Sequence, residues 1–157
     1  MRLEQPRHIV CAVRGGPESR ETVTRAIDLA LESGAWLTFF RVLDAEFLNH
    51  ATIGPLSVVY RELREMGEFA MLILCDRAQR RGVQKVDSIV REGNVRKQLH
   101  EFALETHADV MVMGRPTRSP GSNTFKPDEF DAFVADLEED ADLRIEVVEP
   151  LPALGVG

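Results

Sequence analysis

Arginines beside glycines are the residues in this sequence whose type and spacing could do chemistry. Arg14 precedes Gly15-Gly16-Pro17, Arg115 follows Gly114, and Arg118 lies in the same later loop, three residues before Gly121-Ser122-Asn123. A guanidinium is a planar, permanently charged donor that suits oxyanions, so these groups could meet a phosphate or another anion. In an acidic chain, loop arginines serve equally well as solvated charges. Ser122, Asn123 and Thr124 are similarly two-sided: they could bond a phosphate or satisfy turn and helix-start amides.

Other reactive side chains form no constellation. His8, His50, His100 and His107 share no metal-ligand spacing, and no Cys-His or Glu-His pair falls at i, i+3 or i+4 on a common face. No Gly-x-Ser-x-Gly elbow occurs, Gly121-Ser122 lacks a base, and Gly15-Gly16 lacks the third glycine of a dinucleotide fingerprint. The expectation is a protein with no catalytic residues and no metal site. Cys11 and Cys75 lie in apolar runs and are expected as reduced, buried thiols.

The elements that must position the arginines follow from periodicity. His8–Val13 is an apolar strand leaving through Gly-Gly-Pro, and Pro17 and Glu18 suit the first turn of a helix striped by Val23, Ala26, Ile27, Ala30 and Leu31. Gly34 stops that helix. Ala35–Leu43 predicts a second strand, Asp44–Pro55 a loop, and Leu56–Arg81 a long helix whose face runs through Leu63, Met66, Ala70, Ile73, Leu74 and Arg77. Lys85–Arg91 predicts a third strand, and Asn94 the N-cap of a helix over Val95–Thr106 with Val95, Leu99, Phe102 and Ala103 inward. Asp109–Gly114 is a fourth strand and 115–126 a loop. Pro127 opens a helix striped by Phe130, Phe133, Val134 and Leu137, and Leu143–Val148 is a fifth strand. This alternation predicts an α/β domain with a doubly wound, largely parallel sheet and helices on both faces. Residues 1–150 read as one domain and 151–157 as a small mobile tail.

Composition narrows the function classes. At 157 residues, 44% hydrophobic and 29% charged, the chain reads as globular rather than disordered. Nineteen basic against 26 acidic residues give a net charge of −7, which opposes nucleic-acid binding through phosphate neutralisation. Much of the acid falls between Asp128 and Asp142, as on a solvated helix face. No apolar run reaches the ~20 residues of a membrane span, and Met1–Arg7 lacks a secretory h-region, so a cytoplasmic location is expected.

Three stretches together resemble the universal stress protein family. Ile9–Leu43 is similar to its strand, turn and Ala-rich helix, Val90-Arg91-Glu92-Gly93-Asn94 to its V-x-x-G-x, and Ala108–Gly114 to its A-D-hydrophobic-hydrophobic-V-M-G. The resemblance spans about Arg7 to Val148 and implies strand order 3-2-1-4-5, with a crevice where strands one and four lie side by side. It implies a nucleotide site drawing on Val13, Arg14, Gly15 and Gly16, on the Val42 backbone, and on Gly114, Arg115, Thr117, Arg118, Gly121, Ser122 and Asn123. It also implies a homodimer built on the last strand, here Leu143, Ile145 and Val147.

Two departures stand out. Nucleotide-binding members carry Gly-x2-Gly-x9-Gly-Ser/Thr, whose glycines let backbone N–H groups approach phosphates. Here Gly114 and Gly121-Ser122 match, but Thr117 replaces the second glycine and only six residues separate Gly114 from Gly121. Arg14 replaces an acidic residue that contacts the nucleoside, and a guanidinium cannot accept hydrogen bonds. The expectation is a regulatory domain acting through a homodimer and an unidentified protein partner, with a degenerate nucleotide site. The alternative is an ATP-binding signalling domain with a shortened phosphate loop. Its ligand would be ATP or another adenine nucleotide with Mg; no cofactor at all is the other possibility.

Overall fold

The computed structural model describes residues 5–14, 19–44, 55–116 and 127–150. Strands and helices alternate along the chain: β1 (His8–Ala12), α1 (Arg20–Ser33), β2 (Trp36–Asp44), α2 (Pro55–Arg81), β3 (Val86–Gly93), α3 (Val95–Thr106), β4 (Val110–Gly114), α4 (Pro127–Ala141) and β5 (Arg144–Val148). The five strands form one sheet in the order β3-β2-β1-β4-β5, and each neighbouring pair is parallel. The predicted α/β architecture and strand order are those observed.

Alternation along the strands divides the core into two layers. Ile9, Cys11, Leu37 and Phe39 face α1 and α2, while Val10, Phe40, Met111 and Met113 face α3 and α4. Cys11 is fully buried, and burial pushes its thiol pKa up; Cys75 is half-buried and shifted the same way by the same cause. Both cysteines are free.

Helix ends follow the sequence signals. Gly34 sits at φ 70° and its N–H donates to the Ala30 carbonyl at 2.8 Å, closing α1 with a left-handed cap. Asn94 Oδ1 accepts from the Lys97 N–H at 3.0 Å, the expected N-cap of α3. Pro17 and Glu18 lie outside the described residues, and α1 is helical from Arg20.

The inward face of α2 differs from the one its spacing suggested. Met71 and Ala78 are buried with Leu74 and Cys75 packed beside them, whereas Leu63, Met66 and Ile73 are exposed. Apolar residues occupy several sides of this helix, so periodicity alone does not single out the side facing the sheet.

At the amino ends of the strands, His8 stacks on Trp36 with ring centroids 3.8 Å apart and planes 6° from parallel. Its Nε2 lies 2.8 Å from Thr38 Oγ1, and that hydroxyl donates to Asp87 Oδ1 at 2.6 Å. Burial lowers the His8 pKa, against the opposing pull of Asp87 and Asp109. The unfolded chain therefore binds this proton more readily than the folded one. The His8 contribution to stability is complete above its ordinary value of 6.5 and declines as pH falls from there towards the folded pKa. Denaturant titrations between pH 8 and 5 should give a wild-type curve that falls more steeply than that of His8→Phe, which keeps the stack without the titration. Parallel curves would contradict it.

Candidate functional site

The carboxyl ends of β1, β2 and β4 open into a cleft of about 280 Å³. Its apolar wall comes from Phe40, Leu99, Met113 and Phe130, with Val13, Arg14, Val42, Gly114 and Pro116 around it. Phe40 is fully buried and stacks on Phe102 of α3, centroids 4.1 Å apart. The Val13 N–H donates to the Phe40 carbonyl at 2.8 Å, prolonging β1 beside β2 up to the cleft. Because β1 pairs with both β2 and β4, crossovers leave it on opposite faces and the space between them stays open.

Four of the sequence-predicted site residues thus converge: Val13, Arg14, Val42 and Gly114. Gly15, Gly16, Thr117, Arg118, Gly121, Ser122 and Asn123 lie outside the described residues. Arg115 takes another course. Its Nε donates to Glu149 and its Nη1 to Asp131 Oδ1, each at 2.9 Å, and its guanidinium carbon lies 5.5 Å from the Phe130 ring centre. These carboxylates, Asp131 foremost, raise its pKa. Its backbone N–H donates to the Val148 carbonyl at 2.9 Å, continuing the β4–β5 ladder. Pro116, which borders the cleft, has no N–H. The first two residues after Gly114 therefore present no backbone donor to the crevice.

Gly114 itself has a packing role. A Cβ at this position would stand 2.6 Å from Thr22 Oγ1 of α1, and Thr22 is buried. Close approach of α1 to β4 requires glycine here, whatever occupies the cleft.

Spacing did not reveal Arg41, which borders the cleft at the end of β2 while its guanidinium lies on the other face of the sheet, beside Gly67 of α2. It is the one basic residue inside the apolar run Trp36–Leu43, a signal visible in the sequence. The described lining residues include no Asp, Glu, His, Cys or Lys, so this part of the cleft is apolar with Arg14 at its margin. Among the described residues no three His, Cys, Asp or Glu side chains cluster as metal ligands, and no helix is long and apolar enough to cross a membrane.

At the expected dimer strand, Leu143 and Ile145 are buried in the protein's own core, and Val147 is half-buried. Arg144 N–H bonds the Asp109 carbonyl of the β4 side, so the next N–H, that of Ile145, points to the free edge, where Glu138 Oε2 accepts it at 3.1 Å.

The universal stress protein family model matches residues 6–125, well over half of the sequence. The chain belongs to the universal stress protein family. Solved structures share the fold. A universal stress protein family member from Burkholderia pseudomallei superposes with a TM-score of 0.63 at 21% identity, over 90% of this chain and 94% of the other. A universal stress protein in complex with cAMP gives 0.59 at 21% identity, over 92% and 98%. A family protein from Arabidopsis thaliana with AMP bound gives 0.54 at 14% identity, over 92% of each. No curated protein is detectably similar in sequence. This universal stress protein departs from the family's nucleotide pattern at Arg14 and Thr117 and in the length of the loop after Gly114.

Proposed function

We propose that this universal stress protein is a cytoplasmic regulatory domain over residues 1–150 that acts through a homodimer and protein contacts and keeps a degenerate nucleotide site. The observation that carries the reading is the start of the loop after β4. The Arg115 N–H is held by β5 and Pro116 has none, so the cradle of amides that a triphosphate needs does not begin where the family pattern begins it. A nucleoside-sized apolar cleft nevertheless persists, and relatives of this fold hold cAMP and AMP, each with a single phosphate. Titrating ATP with Mg against AMP tests the reading: a degenerate site gives the two comparable affinities.

Contact surfaces support the regulatory part. On α2, Met66, Phe69, Leu72 and Ile73 form an apolar patch between 53% and 66% exposed, as at sites of protein association. The free edge of β5 is the second surface, and its pairing with a second copy would run through outward N–H groups rather than through the buried Leu143 and Ile145 side chains. In the free chain Glu138 covers one of those N–H groups, which blunts the edge. Glu138→Ala should raise the dimer fraction several-fold, and Val147→Pro, removing the next outward donor, should lower it. Sedimentation equilibrium reads both. A mass indifferent to both substitutions would count against β5 as the interface.

A further inference from the structure

A second groove, of about 750 Å³, opens on the other face of the sheet between α1 and α2. It meets the nucleotide cleft only at Val13, Arg14 and Arg41. Its apolar wall is Val23, Ala70, Met71, Ile73 and Leu74; Met71 is buried, while Ile73 is 53% exposed. Arg14, Ser19, Arg20, Arg41 and Arg77 complete the lining.

Burial sets Arg41 and Arg77 apart: both are half-buried, whereas Arg7, Arg20, Arg61 and Arg144, which hold no carboxylate among the described residues either, are exposed. Elsewhere Arg25, Arg64, Arg81, Arg91 and Arg115 each hold a carboxylate. Among the described residues, Arg20 and Arg41 have no carboxylate partner, and Arg77 donates only to the Thr24 hydroxyl, at 2.9 Å. Arg41 is half-buried in a sheet strand, and its guanidinium lies beside Gly67 of α2. A guanidinium cannot discharge by losing its proton, and burying it without a counter-charge costs stability. Local costs of that kind concentrate at functional positions.

We propose that this groove binds an amphiphile with a single oxyanion head, the head on Arg41 and Arg77 and the apolar body on Val23, Met71 and Leu74. A volume of this size suits a small organic ligand, and the planar fork of arginine suits carboxylate and phosphate alike. The body lies on the opposite face of the sheet from the first cleft, and the two spaces share only Val13, Arg14 and Arg41 at their rims.

Calorimetric titration of the intact chain with decanoate, decyl phosphate and decanol tests it. Both anions, or whichever head the fork prefers, should bind at least about ten-fold more tightly than decanol, and Arg41→Gln and Arg77→Gln should each weaken that binding about ten-fold. Thermal unfolding of the unliganded variants checks the fold, and Arg41→Gln should be no less stable than wild type. Val95 lines the first cleft, and Val95→Trp, which fills that cleft instead, should leave anion binding intact. Decanol binding as tightly as the anions, no binding of any probe, no loss in either folded arginine variant, or loss in Val95→Trp would overturn the proposal.

Discussion

Gly114→Ala should destabilise the protein by about 1–3 kcal/mol, the usual cost of forcing atoms into a packed interior. Alanine ordinarily gains stability over glycine by restricting the unfolded chain, so a loss here would reverse the general trend. The reason is one atom. The added Cβ would stand 2.6 Å from Thr22 Oγ1 but 3.8 Å from Thr22 Cβ, so the hydroxyl clashes and the carbon beneath it makes ordinary contact. Placed on a Thr22→Ala background, the same substitution should cost far less, and the two changes should couple strongly in a double-mutant cycle. Urea denaturation reads all four proteins. Additive effects would show that Gly114 is glycine for a reason other than the approach of α1.

Phe40→Ala should cost more, about 3–5 kcal/mol, a large share of the 5–15 kcal/mol that ordinarily holds a domain folded. Phe40 is fully buried, its ring lies parallel to that of Phe102, and Arg91 stands 5.1 Å from the Phe102 ring and 5.9 Å from that of Phe40. Truncation removes the stack and hollows the wall between the cleft and α3. Phe40→Leu leaves a smaller cavity and should cost distinctly less. A loss below about 1 kcal/mol for the alanine variant would mean that α3 collapses onto the space, and that the cleft wall is softer than its packing implies.

These effects rest on contacts that local sequence patterns could not display. Gly114 was legible as a strand-ending glycine of the family, but its neighbour Thr22 lies in another element, and only the folded chain brings them together. Arg115 read as a free cation beside a glycine; its partners Asp131 and Glu149 sit 16 and 34 residues away. Elements with strong local signals were readable: the Asn94 cap, the Gly34 stop, and strands with continuous apolar runs on both faces of a parallel sheet. The long helix α2 was readable as a helix but not in its orientation, since Met66 and Ile73 are as apolar as the buried Met71. At β5, alternation correctly implied a strand, yet it turns Leu143 and Ile145 into the core and leaves main-chain donors at the edge. Arg41 was visible as a charge in an apolar strand, and only the open space beside it gives that charge a meaning.

The proposed function has the crevice hold a nucleoside without holding a triphosphate. Calorimetric titration of the wild-type chain with AMP and with ATP–Mg²⁺, at the same ionic strength, addresses it most directly. An intact phosphate cradle adds at least two charge-assisted hydrogen bonds, each worth about 1.5–3 kcal/mol, and would make ATP a hundred-fold or more tighter than AMP. With the Arg115 amide held by Val148 and Pro116 at the cleft, the two dissociation constants should fall within about ten-fold of each other. ATP binding a hundred-fold more tightly would contradict the account and restore this chain to the ATP-binding members of its family.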